Sequence, residues 1–303
     1  MAIRNKLFDL GILVSQNYLI KSIGVGNLSV GGTGKSVVVM HLLKMFGNTY
    51  HTATLSRGYG RKTSGLIVAG IKDNVSSIGD EPYQFLNRNP GTTVVVSEKR
   101  TIGMKAIEKM DNPPDLVILD DVMQHRWVHP HIMIMTTSFD TPYFQDFVIP
   151  AGGLREFRSG VKRADILLIT RTPDDLSIDQ KEAFLKNINI NKPIFFTKIK
   201  YSDVLNFNDK TIDSSILNRE GFLLVTGIAD THHLVSYLKN KFGQLDHIKF
   251  NDHHCYSNSD CQMIDERAGD KIILTTEKDI AKLAQNLSSD KLYCLKIELD
   301  FIF

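Results

Sequence analysis

Disulfide chemistry has almost no material in this chain. Three cysteines, Cys255, Cys261 and Cys294, are spread over 303 residues. So odd and sparse a count excludes a disulfide framework and fits a reducing compartment. Charge of one sign is equally scarce: 36 Lys and Arg face 34 Asp and Glu, a formal net charge of +2. No bulk field draws such a chain to nucleic acid, and an anionic partner must be held by local sites. Long apolar runs are missing too. The stretch made by Leu7, Phe8, Leu10, Ile12, Leu13 and Val14 is interrupted by Asp9 and falls far short of the roughly 20 residues of a spanning helix. No small-residue cleavage site follows it, which argues against a secretory signal. With Arg4 and Lys6 ahead of it, the segment either lies on a membrane surface or packs on the domain, and base rates favour packing. Internal repeats and low-complexity tracts are absent. The 42% hydrophobic and 23% charged content excludes a disordered chain, a collagen-like fibre and a polytopic membrane protein.

What the chain does have is a series of short runs rich in Val and Ile. They are Ser22–Leu28, Thr92–Val96, Leu116–Leu119, Ile132–Thr136, Asp165–Thr170, Ile194–Thr197, Phe222–Thr226 and Ile272–Thr275. Runs such as Val94-Val95-Val96 and Ile166-Leu167-Leu168-Ile169 do not alternate apolar with polar. They read as strands buried on both faces, the mark of a parallel sheet covered by helices. Val37–Phe46 and Glu98–Met110 carry helical spacing, so the alternation predicts an α/β sandwich. The pattern turns polar and helical over Thr172–Asn191, and Lys192-Pro193 marks a joint. The reading is therefore two domains: residues 1–192 as a nucleotide-binding domain and 193–303 as a second, smaller α/β domain.

The strongest motif is Gly26-Asn27-Leu28-Ser29-Val30-Gly31-Gly32-Thr33-Gly34-Lys35-Ser36, which follows a strand and opens a helix. Gly31, Gly32 and Gly34 can take backbone angles denied to other residues, so successive N–H groups can face phosphate oxygens. Lys35 would reach the β- and γ-phosphates, and the Ser36 hydroxyl would ligate Mg²⁺. The strict pattern wants glycine where Ser29 stands; a plain glycine-rich turn is the bland alternative, and Gly-Lys-Ser at a helix start favours the phosphate loop. The expected class is thus a P-loop NTPase-like α/β/α sandwich that binds a nucleoside triphosphate.

Leu116–Leu119 ends in Asp120-Asp121, the place where a carboxylate holds Mg²⁺ directly or through water in phosphate-loop enzymes. A helix-capping aspartate is the alternative, weakened by the second carboxylate and by Gln124, His125 and Arg126 close behind. Three further groups stand beside predicted strands, where ligands gather in open α/β sheets. Ser56-Arg57-Gly58-Tyr59-Gly60-Arg61 offers an anion clamp, and Gly79-Asp80-Glu81-Pro82 offers paired carboxylates in a turn before a helix, one able to accept a proton. Pro150-Ala151-Gly152-Gly153-Leu154-Arg155-Glu156 joins a flexible turn to an opposed charge pair. Taken singly, each is more often an ordinary loop. In the C-terminal part, Asn251-Asp252-His253-His254-Cys255-Tyr256 invites a metal, but its spacing matches no common zinc pattern. A histidine that steers a carboxylate base and a satisfied structural histidine both remain open. Thr275-Thr276-Glu277-Lys278-Asp279 follows.

Taken together, and in this order along nearly the whole chain, these residues resemble the tetraacyldisaccharide 4'-kinase family of the lipid A pathway. The family's loop likewise carries Ser or Thr at position 29, whereas Val37 stands where it usually has proline, and its amino-terminal membrane helix is much shorter here. The resemblance implies that ATP with Mg²⁺ phosphorylates the 4'-hydroxyl of an acylated glucosamine disaccharide 1-phosphate to give the 1,4'-bisphosphate. It implies two α/β domains, the C-terminal one closing the active-site cleft. It implies Asp80 as catalytic base assisted by His253. Ser29, Gly31, Gly32, Thr33, Gly34, Lys35, Ser36, Gln124, His125 and Arg155 would stand at the nucleotide, and Ser36, Asp120, Asp121 and Glu156 at the metal. The expected protein is a monomer peripheral to the cytoplasmic face of the bacterial inner membrane, with no nucleic-acid partner. Two rival readings are a phosphate-loop kinase or ATPase acting on a soluble substrate, and a nucleotide-dependent binding switch. The absence of an Asn-Lys-x-Asp guanine-reading motif counts against a GTP switch.

Overall fold

Adjacent residues of the strand Leu116–Asp120 bury toward opposite faces, and that alternation builds the first unit. Val117 and Leu119 pack in one hydrophobic cluster, Leu116 and Ile118 in another. The computed structural model describes residues 1–206, 210–213, 215–288 and 290–302. Contacts divide the chain into one unit of residues 1–199 with 299–303 and another of residues 200–298.

In the first unit the strands are β1 (Lys21–Gly26), β2 (Thr52–Ser56), β3 (Ile67–Val68), β4 (Thr93–Val96), β5 (Leu116–Asp120), β6 (Ile132–Ser138), β7 (Ile166–Thr170) and the part up to Ile199 of β8 (Ile194–Asn206). Their order is β8-β7-β6-β1-β5-β2-β4-β3. Every pairing in it is parallel except that of β3 with β4. The helices are α1 (Ala2–Asp9), α2 (Lys35–Phe46), α3 (Val75–Ile78), α4 (Asp80–Arg88), α5 (Arg100–Glu108) and α6 (Ile178–Leu185). Residues of α5 and α6 join the cluster on one face of the sheet, and residues of α2 and α4 the cluster on the other, which makes the three-layer sandwich expected of the doubly buried runs. β1 lies between β5 and β6. Chain order reverses there, opening a crevice at the carboxyl ends of the strands.

β2 escapes the apolar-run criterion because its sequence is Thr-Ala-Thr-Leu-Ser. It is nevertheless wholly buried, and its Thr52 hydroxyl is satisfied by Thr92 at 2.9 Å. The Asp80–Glu81 pair also differs from its reading as a turn before a helix: Asp80 is itself the first residue of α4. Pro82 fits there because N–H groups of the first helical turn have no intrahelical acceptor.

The second unit repeats the layering. It contains the end of β8 from Lys200, β9 (Thr211–Ile212), β10 (Phe222–Thr226), β11 (Asp246–Lys249), β12 (Ile272–Thr276) and the part up to Glu298 of β13 (Leu292–Ile302), with α7 (Ser215–Glu220), α8 (His232–Phe242), α9 (Asn258–Ala268) and α10 (Ile280–Leu283). β11, β10, β12 and β13 run parallel in that order, while β9 pairs antiparallel with the end of β8. Residues of α9 and α10 pack on one face of β10 and β12, and residues of α7 and α8 on the other.

The amino-terminal segment packs on the first unit. Phe8 is buried, meets Trp127 edge-on at 4.9 Å and lies under the Arg126 guanidinium. Arg126 also pairs with Asp9 at 2.7 Å.

Candidate active site

The phosphate loop leaves β1 and enters α2 through backbone that only glycine takes readily. Gly31 has φ +113° and Gly34, the residue capping α2, has φ +78°, angles at which a Cβ is strained. Outside the loop, a second segment braces it: Val30 N donates to Gly153 O at 2.7 Å and Arg155 N to Leu28 O at 2.7 Å, with Ser29 opposite Leu154.

Asn27 is the hub inside. Its Nδ2 donates to the Thr33 hydroxyl at 2.8 Å, its Oδ1 accepts from Lys35 at 3.3 Å and from Arg155, and its carbonyl accepts from Gln124 at 2.8 Å. Thr33 therefore turns its side chain inward, where it also meets the Thr136 hydroxyl at 2.7 Å. Gly31 and Gly32 stay exposed.

Two carboxylates stand at the end of β5, Asp120 as its last residue and Asp121 just beyond, and their surroundings differ. Asp121 is held by Arg155 in a two-pronged pair at 2.9 and 2.8 Å and lies 3.6 Å from Lys35. Burial alone would raise its pKa, but the Arg155 hydrogen bond and the charges of Lys35, Arg155 and Arg100 hold it well below the usual carboxylate range. Its backbone sits at φ +46°, a strained angle that such surrounding contacts sustain. Asp120 is only 2% exposed. Burial first, then the negative charges of Glu81 and Asp121, push its pKa up to about 7 against the pull of Lys35 and Arg100. Its Oδ1 is a buried oxygen with no hydrogen-bond partner among the described residues. Ser36 Oγ donates to Glu81 Oε1, so a hydroxyl and carboxylates converge beside an orphaned oxygen.

That donor set fits Mg²⁺, which prefers hard oxygen ligands and takes few from protein when phosphates supply the rest. Among the described residues no group of three or more His, Cys, Asp or Glu could hold a metal. Glu156 is differently placed. It is 4% exposed and accepts from Arg163 at 2.8 Å on both oxygens, from Gln124 at 2.9 Å and from Asn5 at 2.6 Å. His125 has its pKa pushed down to about 4 by burial and by Arg100, with smaller effects of Arg57 and Arg4, and is neutral at pH 7.

Three contributors were not among the expected site residues. Asn27 and Glu81 stand inside quoted motifs, and only their partners in space reveal their roles. Arg100 opens α5 and donates to the Asp120 carbonyl at 3.1 Å and to Ser97 O at 2.8 Å, and no motif marks it. Asp80 stands in the first unit, at the start of α4. His253 stands in the second, on the loop between β11 and α9, at φ +57° with its Nε2 3.6 Å from Asp252.

The profile of the family described as LpxK, tetraacyldisaccharide-1-P 4'-kinase, matches residues 1–302. A protein named tetraacyldisaccharide 4'-kinase from Flavobacterium johnsoniae is 40% identical, over 99% of this chain and 88% of its own length. One of the same name from Bacteroides thetaiotaomicron is 36% identical, over 100% of this chain and 86% of its own. The crystal structure of LpxK from Aquifex aeolicus in complex with ATP superposes with a TM-score of 0.80 at 30% identity, covering 99% of this chain and 90% of that one.

Proposed function

We infer the roles of the site residues from one premise: the chain belongs to the tetraacyldisaccharide-1-phosphate 4'-kinase family. It is a kinase of lipid A biosynthesis, transferring a phosphoryl group from ATP to the 4'-hydroxyl of a tetraacylated glucosamine disaccharide 1-phosphate. The observation that best supports the assignment of roles is Lys35 and Ser36 opening α2 beside the paired carboxylates that end β5.

Phosphoryl transfer asks a protein chiefly for position and for charge compensation. Ser29, Gly31, Gly32, Thr33 and Gly34 shape the loop that wraps the phosphates, and Lys35 meets the γ-phosphate. Asp121 now balances Lys35 and Arg155, holding both cations where an arriving anion can share them. Ser36, Asp120 and Asp121 would hold Mg²⁺, which when bound offsets negative charge on the β- and γ-phosphates. Glu156 and Gln124 brace that corner through Asn27, and His125, being neutral, contributes hydrogen bonds rather than charge.

A sugar hydroxyl is a weak nucleophile, so Asp80 accepts its proton as the new bond forms. His253 is the second catalytic group, supporting Asp80. A substrate with four acyl chains supports the reading of a protein peripheral to the cytoplasmic surface of the inner membrane, and a monomer is proposed with it. No helix among the described residues is long and apolar enough to cross a membrane.

The deciding assay follows γ-³²P transfer to the tetraacyldisaccharide 1-phosphate in detergent micelles. Wild-type protein should label the disaccharide, and Asp80→Ala should lose roughly 10²-fold or more in kcat at little change in KM for ATP. Undiminished labelling by Asp80→Ala would remove that residue as the base.

A further inference from the structure

The Thr276-Glu277-Lys278-Asp279 motif takes no part in the chemistry above, yet it holds one of the most enclosed carboxylates in the protein. Asp279 is fully buried, just beyond β12 at the start of α10. A carboxylate so placed is costly unless donors satisfy it. Its Oδ2 accepts from Thr276 Oγ1 at 2.7 Å and from the Gly227 amide at 2.9 Å.

Gly227 follows β10, and its other polar group faces the His253 loop: Gly227 O accepts from His253 N at 3.1 Å. One residue thus links the buried carboxylate to the backbone of His253. The junction leaves no room for a side chain, since a Cβ on Gly227 would lie 2.8 Å from the Tyr256 hydroxyl and 3.0 Å from Asp279 Oδ1. His253 itself sits in the left-handed region at φ +57°, a conformation a non-glycine residue keeps only when its surroundings impose it. Neighbouring restraints act on the flanks of the loop: Phe250 N donates to Thr226 O at 2.8 Å, and His254 meets Asp260 at 3.1 Å. At His253 the amide is shared between Gly227 O and the neighbouring Asp252 Oδ1, each at 3.1 Å, and of the two only Gly227 ties the loop to the rest of the unit.

We propose that Asp279 is a positioning residue for His253, fixing Gly227 so that its carbonyl holds the His253 backbone in the left-handed conformation. The consequence for turnover rests on the reading that His253 takes part in phosphoryl transfer; the anchoring itself does not.

Asp279→Leu keeps about the same size but removes the oxygen that accepts from Thr276 and Gly227, whereas Asn could turn its carbonyl to the same donors. The first measurement is hydrogen exchange at the His253 amide, expected to speed up about tenfold or more in the variant while the amides of β12 keep their protection. The second is a kinetic cycle in the full-length enzyme. Asp279→Leu should lower kcat about tenfold with KM for ATP within about twofold, and in a His253→Ala background it should cost almost nothing further. Thr276→Ala, a milder loss of one donor, should move both readouts the same way by less, and Thr276→Ser should restore them. Unchanged exchange at His253 would overturn the anchor. An equal loss of kcat in both backgrounds would overturn the positioning role. Faster exchange together with wild-type turnover of His253→Ala would uphold the anchor and instead remove His253 from the chemistry, so the two claims fail separately.

Discussion

At the scale of single residues, the site holds its charges in close mutual balance. Lys35 lies 3.6 Å from Asp121, and Arg155 grips the same carboxylate with two hydrogen bonds. Lys35→Ala should therefore leave Asp121 paired and the fold intact, with a melting temperature within a few degrees of wild type. Turnover should fall by roughly 10² or more, as when other charges that stabilise a transition state are removed. Phosphate transfer within a few-fold of wild type would sink the assignment of Lys35 to the γ-phosphate. Lys35 and Ser36 were legible because the loop pattern fixes their place relative to the glycines. Glu81 was legible only as half of an acidic pair. Its nearness to Ser36 comes from α4 and α2 packing against the same face of the sheet, and no spacing in the sequence encodes that.

At the scale of elements, the phosphate loop depends on how tightly β1 is packed. A Cβ on Gly26, the last residue of β1, would lie 2.6 Å from Met123 Cβ and 2.8 Å from Met123 N. Backbone cannot yield as a flexible side chain does, so Gly26→Ala should overpack the strand at a cost of about 1–3 kcal/mol. The denaturation midpoint should drop accordingly, and an unchanged midpoint would mean that the segment after β5 moves freely. Strands such as β4, β5 and β7 were legible from unbroken Val, Ile and Leu runs, because burial on both faces removes polar alternation. β2 was not, because three of its five residues are Thr or Ser, and the partner that lets Thr52 bury its hydroxyl, Thr92, lies far away in sequence. Asp80 gained a different setting: as the first residue of α4 it sits at a helix amino terminus, where the unpaired N–H groups favour a negative charge.

At the scale of the whole molecule, the proposed approach to a bilayer asks for exposed apolar surface. α1 turns Phe8 inward, whereas Leu10, Ile12 and Val14 remain 63%, 64% and 71% exposed. The same segment thus packs on the domain and keeps apolar side chains available for a membrane surface. Replacing Leu10, Ile12 and Val14 together by Ser should weaken flotation with anionic vesicles at unchanged melting temperature. The electrostatic part contributed by Arg4 and Lys6 should fade as salt rises. Vesicle binding equal to that of wild type would show that the anchor lies elsewhere.

The sequence by itself determined the strand-and-helix alternation, the phosphate loop and the carboxylates at the end of β5, because each rests on local backbone preference or on residues a few places apart. The pairing of charges within the site was decided by tertiary structure. Asp120 and Asp121 are neighbours in the chain, yet the pKa of one is pushed up to about 7 and that of the other held far down. The difference comes from Arg155, 34 residues beyond Asp121, which reaches Asp121 while burial isolates Asp120. Glu156 next to it is drawn away by Arg163, Gln124 and Asn5. Which charge meets which partner is a property of packing, since Coulomb energies depend on distance and burial and neither is written in residue order.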